Sequence, residues 1–161
     1  MKNLTKTQKI GLIISLAFTL LTLAFIWGSS MLPNGQSANQ SNGVFASLQG
    51  VLDKIFGAGV ITEEILRKLA HGGEFMLLGV EICLVWLFSA RFNFKTLHEI
   101  CFLGLFVAVA DESIQILSGR GPLVSDILID FGGIIVGVLI FYCVYAIVKT
   151  VKNKGQTGEE V

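Results

Sequence analysis

The stretch Ile127–Val148, ILIDFGGIIVGVLIFYCVYAIV, decides the class of fold. It carries a single charged residue, Asp130. As a helix it is about 33 Å long at ~1.5 Å per residue, enough to cross a hydrocarbon core of roughly 30 Å. In lipid every backbone polar group must be satisfied within the segment, and a helix achieves this. Three other stretches read the same way: Ile10–Trp27, Ile65–Ser89 and Leu97–Leu117. The expected fold is therefore all-α, a polytopic membrane bundle of about four transmembrane helices.

Composition agrees. Apolar residues make up 53% of the 161-residue chain and charged residues 15%, against about 25% charged in ordinary soluble domains. Mean hydropathy is +0.72. No basic stripe interleaved with aromatics stands outside the apolar runs, so nucleic acid is not an expected partner. Cys83, Cys101 and Cys143 fall within or beside apolar runs at long spacings. They read as small buried hydrophobes rather than a disulfide framework.

Between the spans the chain changes character. Lys2, Lys6 and Lys9 precede the first run, and Gly28, Ser29 and Ser30 follow it. That order also fits a cleaved signal sequence. The run exceeds the usual 7–15 residues of such a segment, so an uncleaved first helix is expected. Pro33–Gly43 is rich in Asn, Gln, Ser and Gly and reads as an aqueous loop. In Val44–Phe56 the apolar residues recur at helical spacing, opposite Ser47, Gln49, Asp53 and Lys54. This predicts a short amphipathic helix in the first outer loop, lying in the membrane interface or packed on the bundle. Residues 1–148 form one transmembrane domain, and Lys149–Val161 reads as a disordered cytoplasmic tail.

Lysine and arginine set the expected orientation. The N-terminal lysines, Arg91 and Lys95 between spans two and three, and Lys149, Lys152 and Lys154 all fall on one side. That side should be the cytoplasm, at the plasma membrane. Arg67, Lys68 and Arg120 lie on the opposite side and run against the rule.

Ionisable residues inside the spans supply another reason for those three. The second span holds Arg67, Lys68, His71, Glu74 and Glu81. The third holds Asp111 and Glu112 with Gln115, and the fourth Asp126 and Asp130. At about 100° per residue, Arg67, His71, Glu74 and Glu81 fall within about 80° of one another, and Asp126, Asp130, Gly133 and Gly137 within about 60°. Gly133 and Gly137 have the GxxxG spacing that lets helices approach closely, so the acidic face of this helix is also its packing face. His71 and Glu74 lie roughly 10 Å from the outer end of their span, with Asp111 and Glu112 at similar depth and Asp130 slightly nearer the surface. Glu81 lies deeper.

A charge at the bilayer centre costs about 2.5–3.5 kcal/mol on insertion scales. Five lipid-exposed carboxylates would cost on the order of 12–18 kcal/mol, as much as a domain's whole stability. They must be paired, protonated or wetted. Six acids face three or four cations, which argues for a water-accessible pocket open to the outside, with Arg67, Lys68 and Arg120 as counter-ions. The plainer alternative is a structural network that fixes helix register.

Two segments also resemble a known family. RKLAHGGEFMLLG, Arg67–Gly79, is similar to the Lys-x-x-His segment of the VanZ-like family, followed by an acid and an aromatic. DESIQILSGRGPLVSDILID, Asp111–Asp130, resembles its second signature: Asp-Glu, Gln three residues on, a Gly-Arg turn, then Asp and a Gly-rich helix. Gln36-Ser37 and Ser41 match a serine-containing segment after the first helix. The turn departs from the pattern: Ile116-Leu117-Ser118 precedes Gly119-Arg120, and the proline is Pro122. The resemblance spans about Ser29–Gly137. It implies a multi-spanning membrane protein whose family founder is associated with teicoplanin resistance. Carried onto matching positions, it marks Lys68, His71, Glu74, Asp111, Glu112, Gln115, Arg120 and Asp126.

Three functions remain open from the sequence. The favoured one is a cell-envelope factor linked to glycopeptide resistance. Its outward polar layer of Arg67, Lys68, His71, Glu74, Asp111, Glu112, Gln115, Arg120, Asp126 and Asp130 would engage a lipid-linked intermediate or a lipoglycopeptide. The second is an intramembrane enzyme acting on a lipid-linked substrate, with His71, Glu74, Asp111 and Glu112 as acid–base groups or metal ligands. No Ser, Cys or Thr nucleophile is evidently partnered with His71, and no HExxH or phosphate-binding loop occurs. Catalysis is therefore not favoured, and no metal or cofactor is assigned. The third is an ion or proton path built on Glu81.

Overall fold

Helix boundaries follow local capping chemistry. The computed structural model describes residues 4–32, 34–119 and 124–157, with side chains except at 34–41 and 154–157. Helix α1, Lys6–Ser30, starts in a capping box: Gln8 N–H donates to Thr5 Oγ1 (3.2 Å) and Thr5 N–H to Gln8 Oε1 (2.9 Å). Helix α2 spans Asn34–Phe56, and Gly57, at φ +97°, closes it in a conformation that favours glycine. Helix α3, Glu63–Phe88, is capped by Thr62, and Glu63 and Glu64 in its first turn suit the positive end of the helix dipole. A one-turn 3-10 helix, Phe94–Thr96, leads into α4, Leu97–Leu117. Gly119, at φ +83°, ends that helix, and α5 runs over Val124–Thr157.

Two expectations change. The stretch expected as an aqueous loop is helical from Asn34 onward, so α2 begins ten residues before Val44. Its polar residues carry no hydrophobic period, but extending a helix that is already nucleated is cheap. The tail from Lys149 likewise continues α5 as far as Thr157. Lysine is a good helix former, and cations suit the negative end of the helix dipole. Residues 158–161 lie outside the described set.

Four helical segments, Lys6–Ser30, Glu63–Phe88, Phe94–Leu117 and Val124–Asn153, are long and apolar enough to cross a membrane. No strand occurs among the described residues. The protein is a multi-pass membrane bundle with an additional amphipathic helix. Its outward surface is apolar, with Phe18 and Leu21 on α1, Phe102 and Phe106 on α4 and Val144 and Ile147 on α5 all exposed. Leu48, Val51, Ile55 and Phe56 of α2 are exposed as well. The apolar face of α2 is thus mostly free of the bundle, as an interfacial helix requires.

The core lies where α3 crosses α5 and α1, around Ile26, Phe75, Leu78, Ile82, Ile134 and Val138. Glycines bring α3 and α5 together. A Cβ on Gly133 would strike the Gly72 carbonyl oxygen, and one on Gly137 the Met76 carbonyl oxygen. From the other side, a Cβ on Gly79 would lie 2.6 Å from the Ile134 carbonyl oxygen. Backbone meets backbone along this seam, which sets the rotation of α3 against α5. That rotation turns His71 and Asp130 toward each other.

Candidate functional site

The site forms at the end of the bundle where α1 and α4 finish and α3 and α5 begin. On α3, Arg67 and Lys68 lie nearest this end, His71 one turn further in and Glu74 nearly another. His71 is the centre. Its Nε2 lies 3.0 Å from Oδ2 of Asp111 on α4 and 3.8 Å from Oδ2 of Asp130 on α5. Its Nδ1 lies 3.3 Å from Oε2 of Glu74. Only the Asp111 distance falls squarely in the hydrogen-bonding range. Gln115, one turn beyond Asp111, donates from Nε2 to the same Oδ2 (2.7 Å). The Phe75 ring meets the imidazole edge-on at a centroid separation of 5.4 Å, fixing its plane. The amphipathic arc on α3 thus resolves into His71 and Glu74 facing the pocket, with Phe75 packed beneath.

Burial makes the arrangement costly. Asp111 and Asp130 are fully buried, and Glu112 and Gln115 nearly so. Asp111 Oδ1 and both Asp130 oxygens have no hydrogen-bond partner among the described residues. Carboxylates in such surroundings require a compensating charge or proton.

Nearer the surface, Lys68 bridges helices. Its Nζ lies 3.0 Å from Glu64 Oε1 and 3.7 Å from Asp126 Oδ1, tying α3 to α5. Ser118 Oγ donates to the Ser30 carbonyl oxygen (3.0 Å), fastening the end of α4 to the end of α1. Between these contacts lies a cavity of about 240 Å³. Arg67, Lys68, His71, Glu74, Gln115, Asp126 and Asp130 face it, and Phe25, Leu32, Val44 and Leu66 supply an apolar wall. Val44 belongs to α2, so the amphipathic helix contributes to the mouth.

The residues expected to form the polar layer separate into groups. His71, Glu74, Asp111, Gln115 and Asp130 converge on one imidazole. Arg67, Lys68 and Asp126 sit at the mouth. Glu112 is buried and, like Asp111, does not line the cavity. Arg120 lies outside the described residues, as do the side chains of Gln36, Ser37 and Ser41. Glu81 lies apart: its Oε1 accepts from Thr22 Oγ1 of α1 (2.9 Å).

Sequence reasoning missed Glu64, although its i,i+4 spacing to Lys68 was readable. It also missed the wall from the end of α1 and from Leu66. No periodicity announces those residues, because they become neighbours only when α1 and α2 close over α3.

The family model described as VanZ/LLP1 matches residues 10–147, a range that holds every site residue named above. No curated protein and no solved structure matches the chain.

Proposed function

The chain belongs to the VanZ/LLP1 family, and from that premise we propose that it is a cell-envelope factor whose pocket engages the anionic head of an amphiphile. The observation that carries this reading is the composition of one cavity: Arg67 and Lys68 beside Phe25, Leu32, Val44 and Leu66. Cations next to an apolar wall at the end of a membrane bundle suit a ligand with a charged head and a hydrocarbon tail. A lipid-linked envelope intermediate has that form, and so does a lipoglycopeptide such as teicoplanin. The biological effect is altered susceptibility to such glycopeptides.

The pocket faces outward across the plasma membrane in this reading. Lys6, Lys9, Arg91, Lys95, Lys149 and Lys152 lie at the other end of the bundle, where the positive-inside rule puts the cytoplasm together with both termini. Arg67 and Lys68 escape that rule because they answer the acids of the pocket.

The test is expression in a susceptible Gram-positive host, with teicoplanin and vancomycin inhibitory concentrations measured at matched membrane levels. Wild type should raise the teicoplanin value several-fold, and Arg67→Ala and Asp111→Asn should each return it to baseline. An unchanged value for well-expressed wild type would remove the resistance reading.

A second reading rests on His71. An imidazole with a carboxylate near each nitrogen, facing a cavity, is equipped for general acid–base chemistry on the head of a lipid-linked substrate. Phosphate release from a polyprenyl diphosphate by purified protein, lost in His71→Ala, would decide for it. The ion-path reading has less support: Glu81 does not line the pocket, and fully buried Phe75 and Leu78 occupy the levels between it and Glu74.

A further inference from the structure

Three helices each send one side chain to the inner end of this site: His71 and Asp130 line the pocket, and Asp111 lies buried behind His71. His71, Asp111 and Asp130 offer donor atoms that all lie within 4.8 Å of one another. His71 Nε2 stands 3.0 Å from Asp111 Oδ2 and 3.8 Å from Asp130 Oδ2. Donors held about 2.1 Å from a cation are roughly 3.0–3.4 Å apart in octahedral or tetrahedral shells. The first separation fits that spacing, and a shift of a few tenths of an ångström brings in the second.

The surrounding contacts are an independent observation. Asp111 and Asp130 are fully buried, yet Asp111 Oδ1 and both Asp130 oxygens have no hydrogen-bond partner among the described residues. A self-sufficient polar network would satisfy them. On the far side of the imidazole, Nδ1 lies 3.3 Å from Glu74 Oε2, close enough for an ion pair, although that oxygen too has no hydrogen-bond partner among the described residues. Closing that contact would complete the carboxylate–histidine pair that fixes the tautomer and leaves the other ring nitrogen free to ligate. Gln115 Nε2 donates to Asp111 Oδ2 (2.7 Å) and so orients that carboxylate.

We infer that His71, Asp111 and Asp130 bind one divalent first-row transition ion, Zn²⁺ or Mn²⁺, with Glu74 and Gln115 as positioning residues. One imidazole and two carboxylates form a mixed nitrogen–oxygen set, which suits these ions better than Mg²⁺ or Ca²⁺, both of which favour all-oxygen sites. Two carboxylates with a neutral imidazole also balance a divalent charge, removing the cost of burying both acids beside one ring. The adjoining cavity leaves the outer face of the ion open to a ligand, as a working rather than purely structural metal requires. This inference does not depend on which amphiphile the pocket takes, because its test uses the metal alone.

Protein carrying a tag without histidine is purified in detergent, stripped with EDTA and titrated calorimetrically with Zn²⁺ and with Mn²⁺. Wild type should bind one saturable equivalent and gain thermal stability. Asp130→Asn should bind at least tenfold more weakly and Gln115→Ala roughly tenfold more weakly. Glu81→Gln, another buried acid outside the cluster, should bind like wild type. The metal-free thermal transition of each variant establishes that it is folded. Should Asp130→Asn fail to fold, the wild-type titration and Gln115→Ala carry the decision. Absence of a saturable equivalent in stripped wild type overturns the inference. So does wild-type affinity in a folded Asp130→Asn or, where that variant does not fold, in Gln115→Ala; a polar network without metal then explains the cluster.

Discussion

His71 Nε2 and Asp111 Oδ2 stand 3.0 Å apart, a contact between positions 40 residues apart that joins α3 to α4 inside the bundle. The two helices share little other contact, since α3 packs chiefly on α5 and α1. Gln115 donates to the same oxygen, so one carboxylate collects an imidazole from the neighbouring helix and an amide from its own. The register of α4 against α3 and the geometry of the pocket floor therefore rest on the same pair.

That pairing predicts strong coupling. Asp111→Ala removes the carboxylate that His71 and Gln115 share and should cost about 1–3 kcal/mol. A double-mutant cycle with His71→Ala should return an interaction of about 0.5–3 kcal/mol, read from detergent unfolding midpoints. Strict additivity would mean that the two side chains are neighbours without a shared interaction.

The glycine seam makes a sharper prediction. Gly137→Ala places a methyl group against the Met76 carbonyl, and backbone cannot move aside as a side chain can. The expected loss is about 1–3 kcal/mol. Gly132→Ala, which meets nothing within 4 Å, should be neutral or slightly stabilising, since alanine favours the helix. Equal melting temperatures for the two variants would show that the seam is looser than described.

Glu81 should depend on Thr22. Glu81 is buried, one of its oxygens accepts from Thr22 Oγ1 (2.9 Å), and the other has no hydrogen-bond partner among the described residues. Thr22→Val keeps the shape and removes the donor, at a cost of about 1–3 kcal/mol. In a Glu81→Leu background the same substitution should cost little, and thermal unfolding of the four proteins checks this.

Orientation can be measured by labelling. In a chain with Cys83, Cys101 and Cys143 replaced by alanine, Ala58→Cys lies between α2 and α3 and Lys95→Cys between α3 and α4. A membrane-impermeant maleimide applied to intact cells should modify Ala58→Cys and spare Lys95→Cys until the cells are opened. The opposite pattern would put the pocket in the cytoplasm and end the envelope-ligand reading.

Much of the architecture was legible along the chain. Ile127–Val148 and its three counterparts declare membrane spans, because lipid imposes length and apolarity locally. The arcs holding His71 with Glu74 and Asp126 with Asp130 follow from helical geometry alone, as does the small face of Gly133 and Gly137. Less readable were the ends of the helices. Asn34–Gly43 and Lys149–Thr157 are helical against their polar composition, because a helix once started extends at little cost wherever water accepts its side chains.

The residues of the polar layer, and the need to shelter them from lipid, are properties of the sequence, since burying a charge is costly in any arrangement. Which of them meet is decided only by the tertiary structure. Asp111 and Glu112 adjoin in the chain and neither lines the pocket, yet Asp111 is the one that meets His71. Asp130 approaches the same imidazole through the close glycine crossing of α3 and α5. Periodicity places a residue on a face of its own helix. The rotation of that face against another helix comes from packing, where contacts between distant parts of the chain outweigh any local preference.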